Sequence, residues 1–192
     1  MRVAIIGKGN VGSALGAGLQ KAGHEVRFGH RSSEEPVDAA VKWGEIVLFA
    51  VPFGAVKDAA KSVGNAADGK TVIDVTNALS PTMELAIPCS TSAAEALQKM
   101  LPKSHVIKAF NTVFAQNQSS GRVGTEQLTA FVAGDDAASK KTVMRLAQDI
   151  GFAPVDVGGL KNARYLEAMA IMLIGLGYGM NLGTRIGYRL AR

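Results

Sequence analysis

Gly7, Gly9 and Gly12 follow directly on the apolar run Arg2-Val3-Ala4-Ile5-Ile6, with Lys8, Asn10 and Val11 between them. That spacing suits a backbone folded round a pyrophosphate. Gly7 permits a tight turn off a strand. Gly9 lacks the Cβ that would keep a phosphate away, and Gly12 lets the next helix pack close to a sheet. The start of that helix then presents unpaired N–H groups and the positive end of its dipole to an anion. A second strand, His24 to Phe28, runs into Gly29-His30-Arg31-Ser32-Ser33. A site for NAD would place an Asp or Glu there for the ribose 2′-OH. This stretch has no carboxylate; Glu34 and Glu35 come only later. The Arg31 fork, with His30 and Ser32 as further donors, suits a 2′-phosphate. The expected cofactor is NADP(H).

The rest of the chain alternates strand and helix patterns. Glu45 to Val51 is a continuous apolar run, as in a strand covered on both faces, and ends at Pro52. Thr71 to Val75 and His105 to Phe110 read as further strands, each followed by an Asn: Asn77 and Asn111. Leu128 to Ala133 and Ala153 to Val157 complete the set, with a helix between them that Asp135 or Asp136 starts and Gly151 ends. From Asn162 onward the chain reads as helical and apolar. The pattern predicts an α/β fold: a Rossmann-type, doubly wound, mostly parallel sheet with a C-terminal helical extension. Residues 1–157 form the nucleotide-binding domain, and residues 158–192 pack on it. Ligands in such sheets bind beyond the carboxyl ends of the strands. That rule adds Ala50, Val51, Pro52, Asn77 and Ala109 to the cofactor site. It assigns Asn111, Thr112, Val113 and Ala115 to the partner substrate.

No side chain stands out as an acid or base for catalysis. His24 and His105 fall at the wrong ends of their strands, and His30 belongs to the 2′-phosphate. Lys108 is the one lysine near a strand's carboxyl end, and pairing inside the protein is the simpler role for it. Cys89 is the sole cysteine, so no internal disulfide forms, and it reads as a small, at least partly buried thiol. No metal motif is present. The charge of +5 is too scattered for nucleic acid, and 47% apolar content argues against disorder. The apolar stretch after Ala168 is interrupted by glycines and too short to span a membrane. A cytoplasmic protein is expected. Met169, Ile171, Met172, Leu173, Ile174, Leu176 and Met180 exceed what one helix face can bury, which predicts a homodimer. The absence of an acid–base pair favours exchange of hydride with a second planar heterocycle, where placement and electrostatics suffice.

These segments resemble the coenzyme F420-dependent NADP oxidoreductase family over nearly the full length. They are also similar to the cytoplasmic oxidoreductase domain of the STEAP metalloreductases. The likeness rests on Gly7-Lys8-Gly9-Asn10-Val11-Gly12, Gly29-His30-Arg31, Ala50-Val51-Pro52, Val75-Thr76-Asn77 and Val106 to Thr112. Phe131 to Asp136 and Asn162 to Glu167 add more specific matches. The resemblance implies NADP contacts from Lys8 to Val11, His30-Arg31, Ala50 to Pro52, Asn77 and Ala109. It implies an F420 or flavin (FMN or FAD) ring near Thr112 to Ala115, and a C-terminal region used for dimerisation. One departure is His30, where the archaeal members carry Ser; His still donates to phosphate. Three readings stay open: hydride exchange with F420 or a flavin, reduction of a small carbonyl, imine or quinone, and an NADP(H)-binding sensor.

Overall fold

Ile46-Val47-Leu48-Phe49 is apolar at every position because it lies in the middle of a sheet covered on both faces. The computed structural model describes residues 1–30, 36–80, 82 and 84–191. Its strands are β1 (Arg2–Ile6), β2 (Glu25–Gly29), β3 (Ile46–Phe49), β4 (Thr71–Asp74), β5 (His105–Lys108), β6 (Arg122–Val123), β7 (Glu126–Gln127), β8 (Thr129–Gly134) and β9 (Ala153–Asp156). The helices of four residues or more per α-type run are α1 (Asn10–Lys21), α2 (Val37–Trp43), α3 (Val56–Val63), α4 (Ala93–Met100), α5 (Ala137–Ile150) and α6 (Ala163–Ile174). Seven strands make the main sheet in the order β2-β1-β3-β4-β5-β8-β9. The first five are parallel, β8 is antiparallel to β5, and β9 is parallel to β8. The Rossmann-type fold read from the sequence is therefore the observed one.

The strand order reverses between β1 and β3. The chain passes from β1 outward to β2, then returns across β1 to β3, which opens a crevice at their carboxyl ends. Register levels those ends. Ile6 pairs with Phe49, Phe49 with Asp74, and Asp74 with Lys108. The residues just beyond, Gly7, Ala50, Val75 and Ala109, thus form one rim. Two cores lie on the two faces. One gathers Leu15 and Leu19 of α1 with Val143, Leu146 and Ile150 of α5. The other gathers Val56 and Val63 of α3 with Leu97 of α4.

The start of α5 follows the sequence reading: the Asp136 side chain accepts from the Ser139 N–H, and Gly151 closes the helix in the left-handed region. The C-terminus does not. Helix α6 passes into a widened π-helical turn at Gly175–Gly179 and stops. Residues 180–191 form an irregular strap instead of more helix. Gly175, Gly177 and Gly179 explain the stop, since each lowers helix stability by about 1 kcal/mol relative to Ala. The strap finds its hydrogen bonds elsewhere. Thr129 N–H donates to Tyr188 O at 2.9 Å, Leu190 N–H to Thr129 Oγ1 at 2.9 Å, and Asn117 Nδ2 to Thr184 O at 2.9 Å. Cys89 also departs from expectation. It is exposed, on a turn where Thr91 N–H donates to Pro88 O, which leaves the thiol no core to enter. Among the described residues no helix is long and apolar enough to cross a membrane.

Candidate functional site

The glycine turn sits on the switch point. Gly7 has φ +102°, and a Cβ there would lie 2.4 Å from the Ala50 carbonyl oxygen. A Cβ on Gly12 would lie 2.3 Å from Gly7 O and 3.2 Å from the Ala50 Cβ. Both glycines are thus required by backbone packed on backbone. Gly9 is different: its Cβ would meet nothing within 4 Å, so the turn is open to a ligand there. Helix α1 begins with no side-chain cap and no acid in its first turn. Its first N–H groups have no partners within the helix and present a positive dipole end. Lys8 lies beside this opening, its Nζ 5.5 Å from the centre of the Phe28 ring.

A cleft opens on each side of the turn. One, of about 250 Å³, is lined by Gly7, Gly29, His30, Val51 and residues of α3 that include Ala59 and Ser62. The other, of about 230 Å³, is lined by Asn10, Val11, Asn77, Asn111, Val113, Phe114, Ala115 and Gln116, together with Ala170, Leu173, Ile174 and Tyr178. Ala50 lies under the turn, and Pro52 is exposed beside it. Ala109 and Thr112 are buried, at 0% and 1% exposure, and line neither cleft. Arg31 and Ser32 lie outside the described residues.

Asn77 and Asn111 tie the ends of β4 and β5 together. Asn77 Nδ2 donates to Asn111 O at 3.2 Å, and Asn111 Nδ2 donates to Asn77 Oδ1 at 3.0 Å and to Leu166 O at 2.9 Å. Asn111 Oδ1 is buried without a partner, an acceptor left for an N–H or O–H donor. Phe110 directs Asn111 to this place. Its φ of +64° is unusual for a bulky residue, and Gln118 Nε2 holds its carbonyl at 2.7 Å while its ring packs on Phe152.

Beneath this cleft lies a sealed cluster of charges. Lys108 Nζ donates to Asp74 Oδ2 at 2.9 Å, to Glu167 Oε1 at 2.8 Å and to the Thr76 carbonyl. All three charged side chains are at most 1% exposed. Glu167 also accepts the Ala93 N–H at 3.0 Å, at the start of α4. Lys108 therefore pairs inside the protein and does not reach the cleft. A second pair joins the same two helices: Arg164 Nη2 and Nε grip Glu95 at 2.6 and 2.8 Å. The Arg164 guanidinium, helped by the Ser92 hydroxyl, holds the Glu95 carboxyl below the usual carboxylate range. Among the described residues no group of three His, Cys, Asp or Glu side chains could hold a metal ion.

The sequence reading missed the wall that α6 and its π turn add to the cleft: Ala170, Leu173, Ile174 and Tyr178. One signal was available. A tyrosine between glycines in Gly175 to Gly179 does not fit a helix that merely fills a core.

A switch-point glycine turn on an uncapped helix, flanked by two clefts, is the arrangement of a dinucleotide-binding Rossmann domain. Comparison with known proteins narrows this. The family model described as "NADP oxidoreductase coenzyme F420-dependent" matches residues 2–42 and 34–78. The F420-dependent NADP reductase of Methanocaldococcus jannaschii is 27% identical over 207 aligned positions, covering 92% of this chain and 92% of the relative. The rat metalloreductase STEAP3 is 30% identical over 90% of this chain, which spans only 37% of that protein's length. A crystal structure provisionally described as an F420-dependent NADP reductase, from Arthrobacter sp. FB24, superposes with a TM-score of 0.91 at 25% identity over 100% of both chains. Over nearly its full length the chain is thus similar to F420-dependent NADP reductases, a likeness that supports an NADP-dependent oxidoreductase.

Proposed function

We propose that this protein exchanges hydride between NADP(H) and a second planar redox cofactor, F420 or a flavin. The observation that carries the reading is the cleft beside the start of α1. Its walls combine apolar side chains, from Val11, Val113 and Ala115 and from Ala170, Leu173 and Ile174, with the neutral amides of Asn10 and Gln116 and the Asn77–Asn111 pair at the strand ends. Among the described residues that line it there is no Lys, Arg, His, Asp or Glu. Such a space suits two flat rings brought face to face, with the reacting carbons positioned by the protein. The nicotinamide supplies the hydride chemistry itself.

This chain's residues divide the binding. The backbone of Gly7, Lys8, Gly9, Asn10, Val11 and Gly12 would hold the pyrophosphate at the helix start. The open space at Gly9 and the unpartnered Asn111 Oδ1 both fit NADP(H): the first admits a phosphate, and the second accepts from a carboxamide N–H. Val51 and His30 line the cleft on the adenosine side. Arg31 and Ser32 follow His30 directly and are proposed for the 2′-phosphate. Asn77 would stand at the nicotinamide, and Ala50, Pro52 and Ala109 would shape the rim. Asn111, Val113 and Ala115 would form the floor for the acceptor, with Thr112 buried behind them.

The test is NADPH oxidation with F420, FMN and FAD in turn. Turnover with F420 or a flavin is expected. NADPH binding with no turnover by any of them would instead indicate a sensor. In the same experiment Arg31→Ala should weaken NADPH by about 1.5–3 kcal/mol, with NADH little changed. Equal losses for both would remove the 2′-phosphate assignment.

The reading includes a cytoplasmic protein that works as a homodimer, with residues 158–192 as the unit that both walls the cleft and pairs. Tyr165, Met172 and Leu176 are exposed at helical spacing along α6 and its continuation, and Met180 follows at 70% exposure. Light scattering at micromolar concentration should give twice the chain mass of 20.0 kDa. A monomer would rule the dimer out.

A further inference from the structure

We propose that Tyr178 is the proton donor to the acceptor in the cleft beside α1, an inference that rests on the hydride-exchange reading above. Reduction of a conjugated acceptor by hydride leaves an electron pair on one of its heteroatoms, and that atom needs a proton. Among the described side chains lining this cleft, Tyr178 alone carries a proton on an ionisable group. The amides of Asn10, Asn77, Asn111 and Gln116 do not ionise. Lys108 is sealed beneath the cleft by Asp74 and Glu167, and His30 belongs to the cleft on the other side of the glycine turn.

The fold holds the tyrosine ring and leaves its hydroxyl available. The ring meets Phe114 edge-on, with centroids 5.5 Å apart and planes at 84°. The turn carrying it is pressed onto the same phenylalanine: a Cβ on Gly177 would lie 2.5 Å from Phe114 Cζ. That turn is π-helical, closed by Met180 N–H to Gly175 O at 2.9 Å, and so departs from the α-helical course of α6 at this point. Widened turns of this kind recur at functional sites. Tyr178 nevertheless remains 59% exposed, and its hydroxyl has no hydrogen-bond partner among the described residues.

The step balances with no further reagent. NADPH is oxidised by loss of hydride from C4 of its nicotinamide, and the acceptor is reduced by the two electrons of that hydride. The electron pair displaced within the acceptor settles on a ring nitrogen or oxygen. Tyr178 gives its O–H proton to that atom: the tyrosine O–H bond breaks and an N–H or O–H bond forms. The exposed phenolate then recovers a proton from water. In the opposite direction the phenolate takes the proton back.

Tyr178→Phe tests this, because it keeps the ring packing on Phe114 and removes only the hydroxyl. NADPH oxidation is measured with F420 and with FMN, in H2O and in D2O. The expected result is a fall in kcat of about 100-fold or more. NADPH affinity and acceptor KM should stay within twofold of wild type, and the solvent isotope effect on kcat should change. A variant with wild-type kcat and isotope effect would overturn the inference. So would a change in acceptor KM alone, which would assign the ring to packing. No turnover by the wild type with either acceptor would overturn the parent reading, and this inference with it.

Discussion

Lys108→Met should lower the stability of the folded protein by about 3–5 kcal/mol, read from the shift of its urea unfolding midpoint. The side chain is fully buried, and its ammonium lies between two carboxylates on different elements, Asp74 at the end of β4 and Glu167 on α6. Methionine fills the volume but offers no charge and no donor. Both carboxylates would then be buried without a cation, and the Thr76 carbonyl would lose its partner. Adding Glu167→Gln should recover part of the loss. Glutamine still accepts the Ala93 N–H, and one stranded charge is gone. A single variant within about 1 kcal/mol of wild type would mean that the cluster is hydrated and carries little energy.

Two alanine substitutions in the glycine turn should fail for opposite reasons. Gly12→Ala drives a Cβ into the Gly7 carbonyl and toward the Ala50 side chain. Neither neighbour is a flexible side-chain end, so α1 must move away from the sheet, at about 1–3 kcal/mol. NADPH binding should fall with it, because the helix start carries the N–H groups. Gly9→Ala meets open space in the protein. Its effect on folding should stay near 1 kcal/mol, the difference between Gly and Ala at a helix N-cap. Its effect on NADPH should be larger, a loss of about tenfold or more, since the new methyl group stands where the pyrophosphate must approach. Unfolding midpoints and titration calorimetry on both variants separate the cases. Wild-type NADPH affinity in Gly9→Ala would show that the phosphates do not pass over this turn.

The glycine turn was legible in the sequence because its requirements are local: a strand, three glycines at fixed spacing and a helix within a few residues. The sheet was legible for a related reason, since buried parallel strands such as Ile46 to Phe49 leave continuous apolar runs. What pairing does across the chain was not. Asn77 and Asn111 are 34 residues apart, and only the β4–β5 register brings their amides together. Lys108 drew attention as a lysine near a strand end. Its partners, however, come from residues 74 and 167, and nothing in the spacing announces them. The wall containing Tyr178 was hidden for the same reason, because it exists only once α6 has docked. The C-terminal strap was misread as helix because apolar content outweighed the glycines in the pattern. Cys89 was misread because thiols are mostly buried, whereas this one sits on a proline-bounded turn.

The buried lysine also fixes when the enzyme can be finished. The ribosome makes β1 to β5 in order, each strand followed by the helix or loop that covers it. Glu167, however, is synthesised 59 residues after the ammonium it neutralises. The strap that satisfies the Thr129 amide is made later still, at Tyr188. A nascent chain that has not yet reached residue 167 can therefore shape the cradle for a nucleotide, but it cannot close the chamber beside it until α6 and the strap have emerged.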